Sequence, residues 1–198
     1  MQLMIDIETL GKAETSVVLQ VGLCAFDRQA GTHRGSFEIT GCLFAQLAAG
    51  RTTDFDTVQW WKSQPAQTWG DVSRGKCLPH EMVNGFLSAY EQIGKDHGEI
   101  TEVWCKGASF DFPILEHLLR SHGQVPWRYS AQRCFRTYVE ENDREKVLEP
   151  VPELAGVDRV AHTAGSDALH QAKWLLAIDA SRRSARSVNP QPQSLTPA

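Results

Sequence analysis

Two carboxylates stand close together in the stretch Leu3-Met4-Ile5-Asp6-Ile7-Glu8-Thr9-Leu10. The stretch reads as an apolar strand, whose side chains alternate between faces. Asp6 and Glu8 therefore share one face, and Leu3, Ile5 and Ile7 take the other. Acids this close repel, and a strand interior offers them little water. A divalent cation is the simplest compensation, because hard cations take carboxylate oxygens. Two more acids stand out by position. Asp111 follows a short strand-like run and a glycine turn, where a helical pattern begins. Asp167 opens the last helical pattern, and His162 lies five residues before it in a loop. These residue types bind metal and move protons.

The elements that must position them follow from periodicity. Val17 to Asp27 is a long apolar run rich in β-branched residues and reads as a central strand. Gln29 to Thr32 is a turn, and the alternating Ser36 to Thr40 suggests a third strand. Three strands joined by short turns form an antiparallel meander. Thr53 to Gln64 reads as a helix, with Asp54 or Asp56 near its start and Pro65 closing it. It carries Trp60 and Trp61, which point about 100° apart on a helix, so at most one faces the core squarely. Gln64 to Lys76 is polar and turn-rich. Pro79 to Ile93 is an amphipathic helix.

Glu102 to Cys105 is a short strand, followed by Lys106-Gly107 and a helix that ends at Gly123. Ser109 is the expected N-cap of that helix. Strand, glycine turn and helix make an α/β crossover, and open α/β sheets build their sites at that edge. A further helix is expected over 134–142, a loop over 145–160, and a helix from Ser166 to about Ser181. The expected architecture is an α/β mixed sheet flanked by helices, in one domain over residues 1–183. Residues 184–198 are Ser-, Pro- and Gln-rich and are expected to be a disordered tail.

Composition narrows the class. The 198 residues are 41% hydrophobic and 22% charged, ordinary for a globular chain with a real core. Neither a membrane span nor a secretion signal is legible, so a cytoplasmic protein is expected. The five cysteines are scattered without a Cys-x-x-Cys, and neither a zinc cage nor a disulfide framework is supported. A net charge of −4 argues against a broad basic surface for long duplexes. If the four acids hold metal, the remainder of the chain is neutral, and a polyanionic substrate stays open. The other six histidines (His33, His80, His97, His117, His122 and His170) lie in turns or helices and read as structural. No Gly-x-Ser-x-Gly is present to support a serine nucleophile.

The constellation resembles the DEDD-type 3′–5′ exonucleases, in the DEDDh version whose base is histidine. The Asp-x-Glu-Thr motif is matched by Asp6-Ile7-Glu8-Thr9. The aspartate in a small/aromatic turn is matched by Ser109-Phe110-Asp111, and His-x4-Asp by His162 to Asp167. Gln59-Trp60-Trp61, Trp104 and Arg133-Cys134-Phe135-Arg136-Thr137 look like a small bacterial and phage subgroup. That subgroup is similar to the exonuclease VIII catalytic domain and to Rv2179c-like 3′–5′ exoribonucleases. The likeness covers about residues 1–180, and the segment from 40 to 79 matches loosely.

The resemblance implies a ribonuclease-H-like fold, with three antiparallel strands first and parallel ones after. It implies two Mg²⁺ or Mn²⁺ ions, about 3.5–4 Å apart in such centres. Asp6 would bridge both, Glu8 and Asp167 would hold the ion near the attacking water, and Asp111 would act mainly through water. His162 would take the proton from that water, a role suited to imidazole, whose unperturbed pKa is about 6.5. Thr9 and Leu10 would meet the terminal nucleotide. The tryptophan pair itself leaves two readings open, both rings packing in part or one of them, Trp60, lying beside the cleft and stacking on a base. The implied partners are 3′ ends of single-stranded DNA or RNA, without a membrane. Related small exonucleases are often dimers, so a homodimer is allowed. A non-catalytic binder of nucleic-acid ends and a free-nucleotide hydrolase remain as alternatives. Retention of all four acids and the base weighs against the binder.

Overall fold

The computed structural model describes residues 1–150 and 162–188. Most of the loop expected over 145–160 and residues 189–198 of the expected tail lie outside the described residues. Strand β1 (Gln2–Thr9) pairs antiparallel with β2 (Val18–Asp27), which pairs antiparallel with β3 (Thr32–Thr40). Strand β4 (Glu102–Cys105) then joins the free edge of β1 in parallel, and β5 (Gln132–Cys134) joins β4 in parallel. The order is β3-β2-β1-β4-β5, a mixed α/β sheet of the expected kind.

One expectation is corrected by this order. The central strand is β1, with β2 beside it. The crossover through helix α4 (Pro79–His97) returns the chain to the open edge of β1, which puts the acid-bearing strand in the middle.

Alternation along β1 sorts two cores. Leu3, Ile5 and Ile7 face α4 and α5 (Ala108–His122), packing with Met82, Phe86, Phe112, Leu115 and Leu118. Met4 faces the other side with Cys24, Phe26 and Trp104. That side is covered by α6 (Phe135–Asn142) and α7 (Ala164–Val188) through Phe135, Ala168, Ala172 and Trp174. Helix α7 begins two residues earlier than expected and continues into residues 184–188, where a tail was expected.

Two helices escape the sequence pattern. Helix α1 (Leu43–Ala48) is a turn and a half long, and its Gln46 is fully buried. Gln46 accepts from the Val18 amide at 2.9 Å and donates to the Val18 carbonyl at 2.7 Å, standing in for a neighbouring strand. Helix α3 (Ala66–Ser73) is short, has few large apolar residues and carries Gly70. Its Val72 joins Leu10, Val17, Leu19 and Trp61 in a third core, so packing supplies what propensity does not. Helix α2 (Phe55–Ser63) starts at Asp54, whose carboxylate accepts from the Thr57 amide at 2.8 Å. No helix among the described residues is long and apolar enough to cross a membrane.

Candidate active site

Asp6 and Glu8 project from β1 on the α7 side of the sheet. Opposite Asp6 on β2 is Gly22. A Cβ at Gly22 would lie 2.1 Å from the backbone of Ala164 and 2.4 Å from the amide of Gly165. Glycine is required here because the first turn of α7 rests directly on the strand. Two side chains hold it there. Gln20 of β2 accepts from the Ala164 amide at 3.1 Å, and Glu38 of β3 accepts from the Gly165 amide at 2.8 Å. These groups satisfy the open amides of a helix start from across the sheet.

This docking delivers the third motif. Asp167 lies in the first turn of α7, and its Oδ2 accepts from the His162 amide at 3.3 Å. Ligand atoms of Glu8, His162 and Asp167 all lie within 4.8 Å of one another. His162 has φ 66°, a left-handed conformation that histidine adopts more readily than most residues. One turn along α7 from Asp167, Gln171 donates to Asp6 Oδ1 at 2.7 Å.

Asp111 comes from the opposite face. Its helix α5 starts after Gly107, with φ 147°, and its amide donates to the Gly107 carbonyl at 3.0 Å. Gly107 is the N-cap and Ser109 lies inside the helix, so Ser109 is not the expected cap. The buried Asp111 carboxylate is pushed up to about 7 by burial, against the lowering effects of the Cys105 thiol, nearby amides and Arg136. Burial and then the charges of Asp111, Glu8 and Asp167 raise Asp6 well above the carboxylate range, although the Gln171 amide lowers it. Glu8 is pushed up to about 8 by burial, then by Asp167, Asp111 and Glu38.

All five expected residues of the three motifs thus meet in one place, but the expected substrate residues divide. Trp60 is 42% exposed and sets its ring edge-on to His162, with centroids 5.1 Å apart. Its neighbour Trp61 is core, donating from Nε1 to the Thr9 carbonyl at 2.8 Å. A cleft of 470 Å³ runs beside the acids, lined by Ile7, Glu8, Thr9, Trp60 and Phe110 among others. Leu10 does not line it. Its side chain is 3% exposed and packs in the third core. The Thr9 hydroxyl is turned to the Gly11 carbonyl at 2.8 Å.

Gln171, Gln20, Glu38 and Gly22 are site-building residues that the motifs do not name. Gln171 carries one local signal, its place four residues after Asp167 on the same helical face. The others meet α7 across more than a hundred residues of sequence, as Gln20 does with Ala164, and have no local signature.

The donor set suits hard divalent cations, being four carboxylates with one imidazole beside them. The charges that raise Glu8 are like charges, and no lysine or arginine among the described residues forms an ion pair with Asp6, Glu8 or Asp111. Cations would offset what now raises these acids, burial first in all three and then the mutual repulsion at Asp6 and Glu8.

Comparison with known proteins gives the family and the fold. The family model of the Rv2179c-like 3′–5′ exoribonuclease domain matches residues 1–178. The exodeoxyribonuclease of Enterobacteria phage T4 is 25% identical over 224 residues, covering 95% of this chain and 92% of that protein. The zinc-bound complex of E. coli exonuclease I with single-stranded DNA has TM-score 0.64 at 11% identity, over 94% of this chain and 42% of that one. Exonuclease X bound to 5′-overhanging duplex DNA has TM-score 0.56 at 12% identity, over 91% of this chain and 92% of that one. The chain spans less than half of exonuclease I, and these structures share with it the ribonuclease-H-like fold. The chain belongs to the Rv2179c-like 3′–5′ exoribonuclease domain family and is a 3′–5′ exonuclease.

Proposed function

We propose that this exonuclease releases nucleoside 5′-monophosphates from the 3′ ends of single-stranded or short nucleic acid. Asp6, Glu8, Asp111 and Asp167 would hold two divalent cations, Mg²⁺ or Mn²⁺. Bound there, the cations supply an activated water and charge neutralisation at the leaving oxygen. The carrying observation is the convergence of four carboxylates and one imidazole at the end of β1.

The protein's own groups do the rest. His162 accepts the proton of the attacking water, with Trp60 limiting the tilt of its ring. Gln171 holds the Asp6 carboxylate in one orientation. The cleft walled by Thr9, Trp60 and Phe110 receives the terminal nucleotide, whose base lies against the exposed face of Trp60. Water is limited on that side by the apolar wall of Ile7 and Trp61.

The polymer is open in this reading. The matched family is described as exoribonuclease, while the phage T4 relative is an exodeoxyribonuclease. Discrimination rests on contacts to the 2′-OH. The test is a 5′-labelled RNA and its matched DNA, incubated side by side with Mg²⁺ or Mn²⁺, with and without EDTA. A ladder shortening from the 3′ end and abolished by EDTA is expected. Degradation that survives EDTA, or that runs from the 5′ end, defeats the proposal. Fractionation of cells and sedimentation of the protein test the cytoplasmic location and the homodimer that go with it.

A further inference from the structure

The motif Arg133-Cys134-Phe135-Arg136-Thr137 has no role yet at the carboxylate centre, and the structure separates its two arginines. Arg133 is tied into the scaffold. It pairs with Glu102 at 3.3 Å and donates to the carbonyls of Ser130 at 2.7 Å and Gln132 at 2.8 Å. Arg136 is exposed in the first turn of α6 and pairs with no carboxylate among the described residues. It donates from Nη2 to the Lys106 carbonyl at 3.1 Å. A guanidinium has five N–H donors, and the one side-chain bond of Arg136 among the described residues uses only one of them.

Its place is the rim of the active site. A Cβ at Gly107 would stand 3.5 Å from Arg136 Nη2 and 3.5 Å from Asp111 Oδ2. Residue 107 has no side chain, so cation and carboxylate flank one open space. Lys106 adds a second cation on this edge, its Nζ 5.4 Å over the Trp174 ring. Sheet order sets the direction. The cleft for the terminal nucleotide lies between the end of β1 and α2. Beyond β1 comes β4, which leads to Asp111, and then β5, which leads to Arg136. The carboxylates lie between the cleft and Arg136, so a strand leaving the centre away from the cleft passes the guanidinium.

We infer that Arg136, with Lys106 beside it, binds the first backbone phosphate upstream of the scissile one, and so favours polymers over mononucleotide esters. A planar guanidinium chelates a phosphate through two parallel N–H···O bonds. This inference rests on the proposed active site and adds a subsite to it. A residue that merely clasps the Lys106 backbone would affect every substrate alike.

The experiment compares two substrates in Mn²⁺. One is the p-nitrophenyl ester of thymidine 5′-monophosphate, which has a cleavable diester but no upstream phosphate. The other is a single-stranded tetranucleotide. Arg136→Ala is expected to lower kcat/KM for the tetranucleotide about tenfold more than for the ester, mostly through KM. Arg136→Lys should restore part of that difference. The dependence of log kcat/KM on log salt for the tetranucleotide should become shallower by about 0.7 on Arg136→Ala. Equal losses on both substrates, or none on the tetranucleotide, overturn the inference while leaving the active site intact. Failure of the unsubstituted protein to cleave either substrate overturns the active-site reading, and this subsite with it.

Discussion

Two half-buried charge clusters sit at opposite ends of β1, and α7 reaches both. Near the start of β1, the Arg28 amide donates to Gln2, and the Arg28 side chain meets Asp179. Near its end, Asp6 and Glu8 meet Asp167, a little over three turns earlier on α7. The first cluster is matched. Arg28 grips both oxygens of Asp179 at 2.6 and 2.8 Å, Tyr138 donates a third bond, and the guanidinium lies over Trp104 and Tyr138. The second is a set of carboxylates raised first by burial and then, at Asp6 and Glu8, by one another's charge. The first is complete within the chain, while in the proposed reading the second would be completed by divalent cations. That contrast marks which charged cluster is scaffold and which is site.

The largest effects should fall on turnover, and at one end only. Asp6→Asn and Asp111→Asn are each expected to lower kcat by about 10³-fold or more, the several kcal/mol such a centre supplies. His162→Ala should cost about 10²–10⁴-fold, the usual range for a positioned base. Asp179→Asn should leave kcat within a small factor of the unsubstituted protein. A labelled-oligonucleotide assay on the four variants decides this, and an inactive but folded Asp179→Asn would erase the distinction between the two ends.

Stability should show the reverse. Asp179→Asn takes the two-pronged carboxylate from the half-buried Arg28 fork and leaves Glu102, at 3.6 Å, as its one anionic partner among the described residues, at a cost of about 1.5–3 kcal/mol. Urea denaturation measures it, and an unchanged midpoint would mean that the matched cluster contributes nothing. Gly22→Ala probes the link between the ends. Its Cβ cannot fit against Ala164, so α7 must shift, at about 1–3 kcal/mol and with a loss of kcat. If kcat is kept while stability falls, Asp167 does not depend on that docking.

The two clusters also differ in how far they can be read from sequence. Asp6 and Glu8 are legible because strand alternation is local, and the first and third motifs each lie within six residues. The meander and most of the helices are legible for the same reason. Gln20 with Ala164 and Arg28 with Asp179 join residues far apart in the chain. No periodicity announces such a partner. Trp60 and Trp61 show the boundary. Helical geometry says that only one can face the core, but the bond from Trp61 to the Thr9 carbonyl decides which. Helix α3 was hidden because its few apolar residues act only through the third core.

The smallest expected effect is the most direct comparison of the clusters, because pH should pull them in opposite directions. Burial alone would raise Asp179, but its bonds from Arg28 and Tyr138 outweigh this and hold it below the usual range. Its contribution is present above that range and lost as pH falls through the lowered value. Glu8, raised from 4.5 to about 8, and Asp111, raised from 3.8 to about 7, behave oppositely. Each binds its proton more tightly in the folded protein than in the unfolded chain. The stability linked to them is full below the ordinary carboxylate range and is lost as pH rises through 7 and 8. In EDTA the melting temperature should therefore fall between pH 5 and pH 8.5, and Mn²⁺ should remove most of that fall by taking the acids as anions. Glu8→Gln deletes one of the repelling charges. It should raise the melting temperature in EDTA at pH 8.5 by about 2–4 °C, equivalent to roughly 1 kcal/mol at this chain length, while abolishing most activity. A melting temperature that is flat with pH in EDTA, and unmoved by Glu8→Gln, would mean that the carboxylates at the end of β1 are relieved by the chain itself and do not call for a cation.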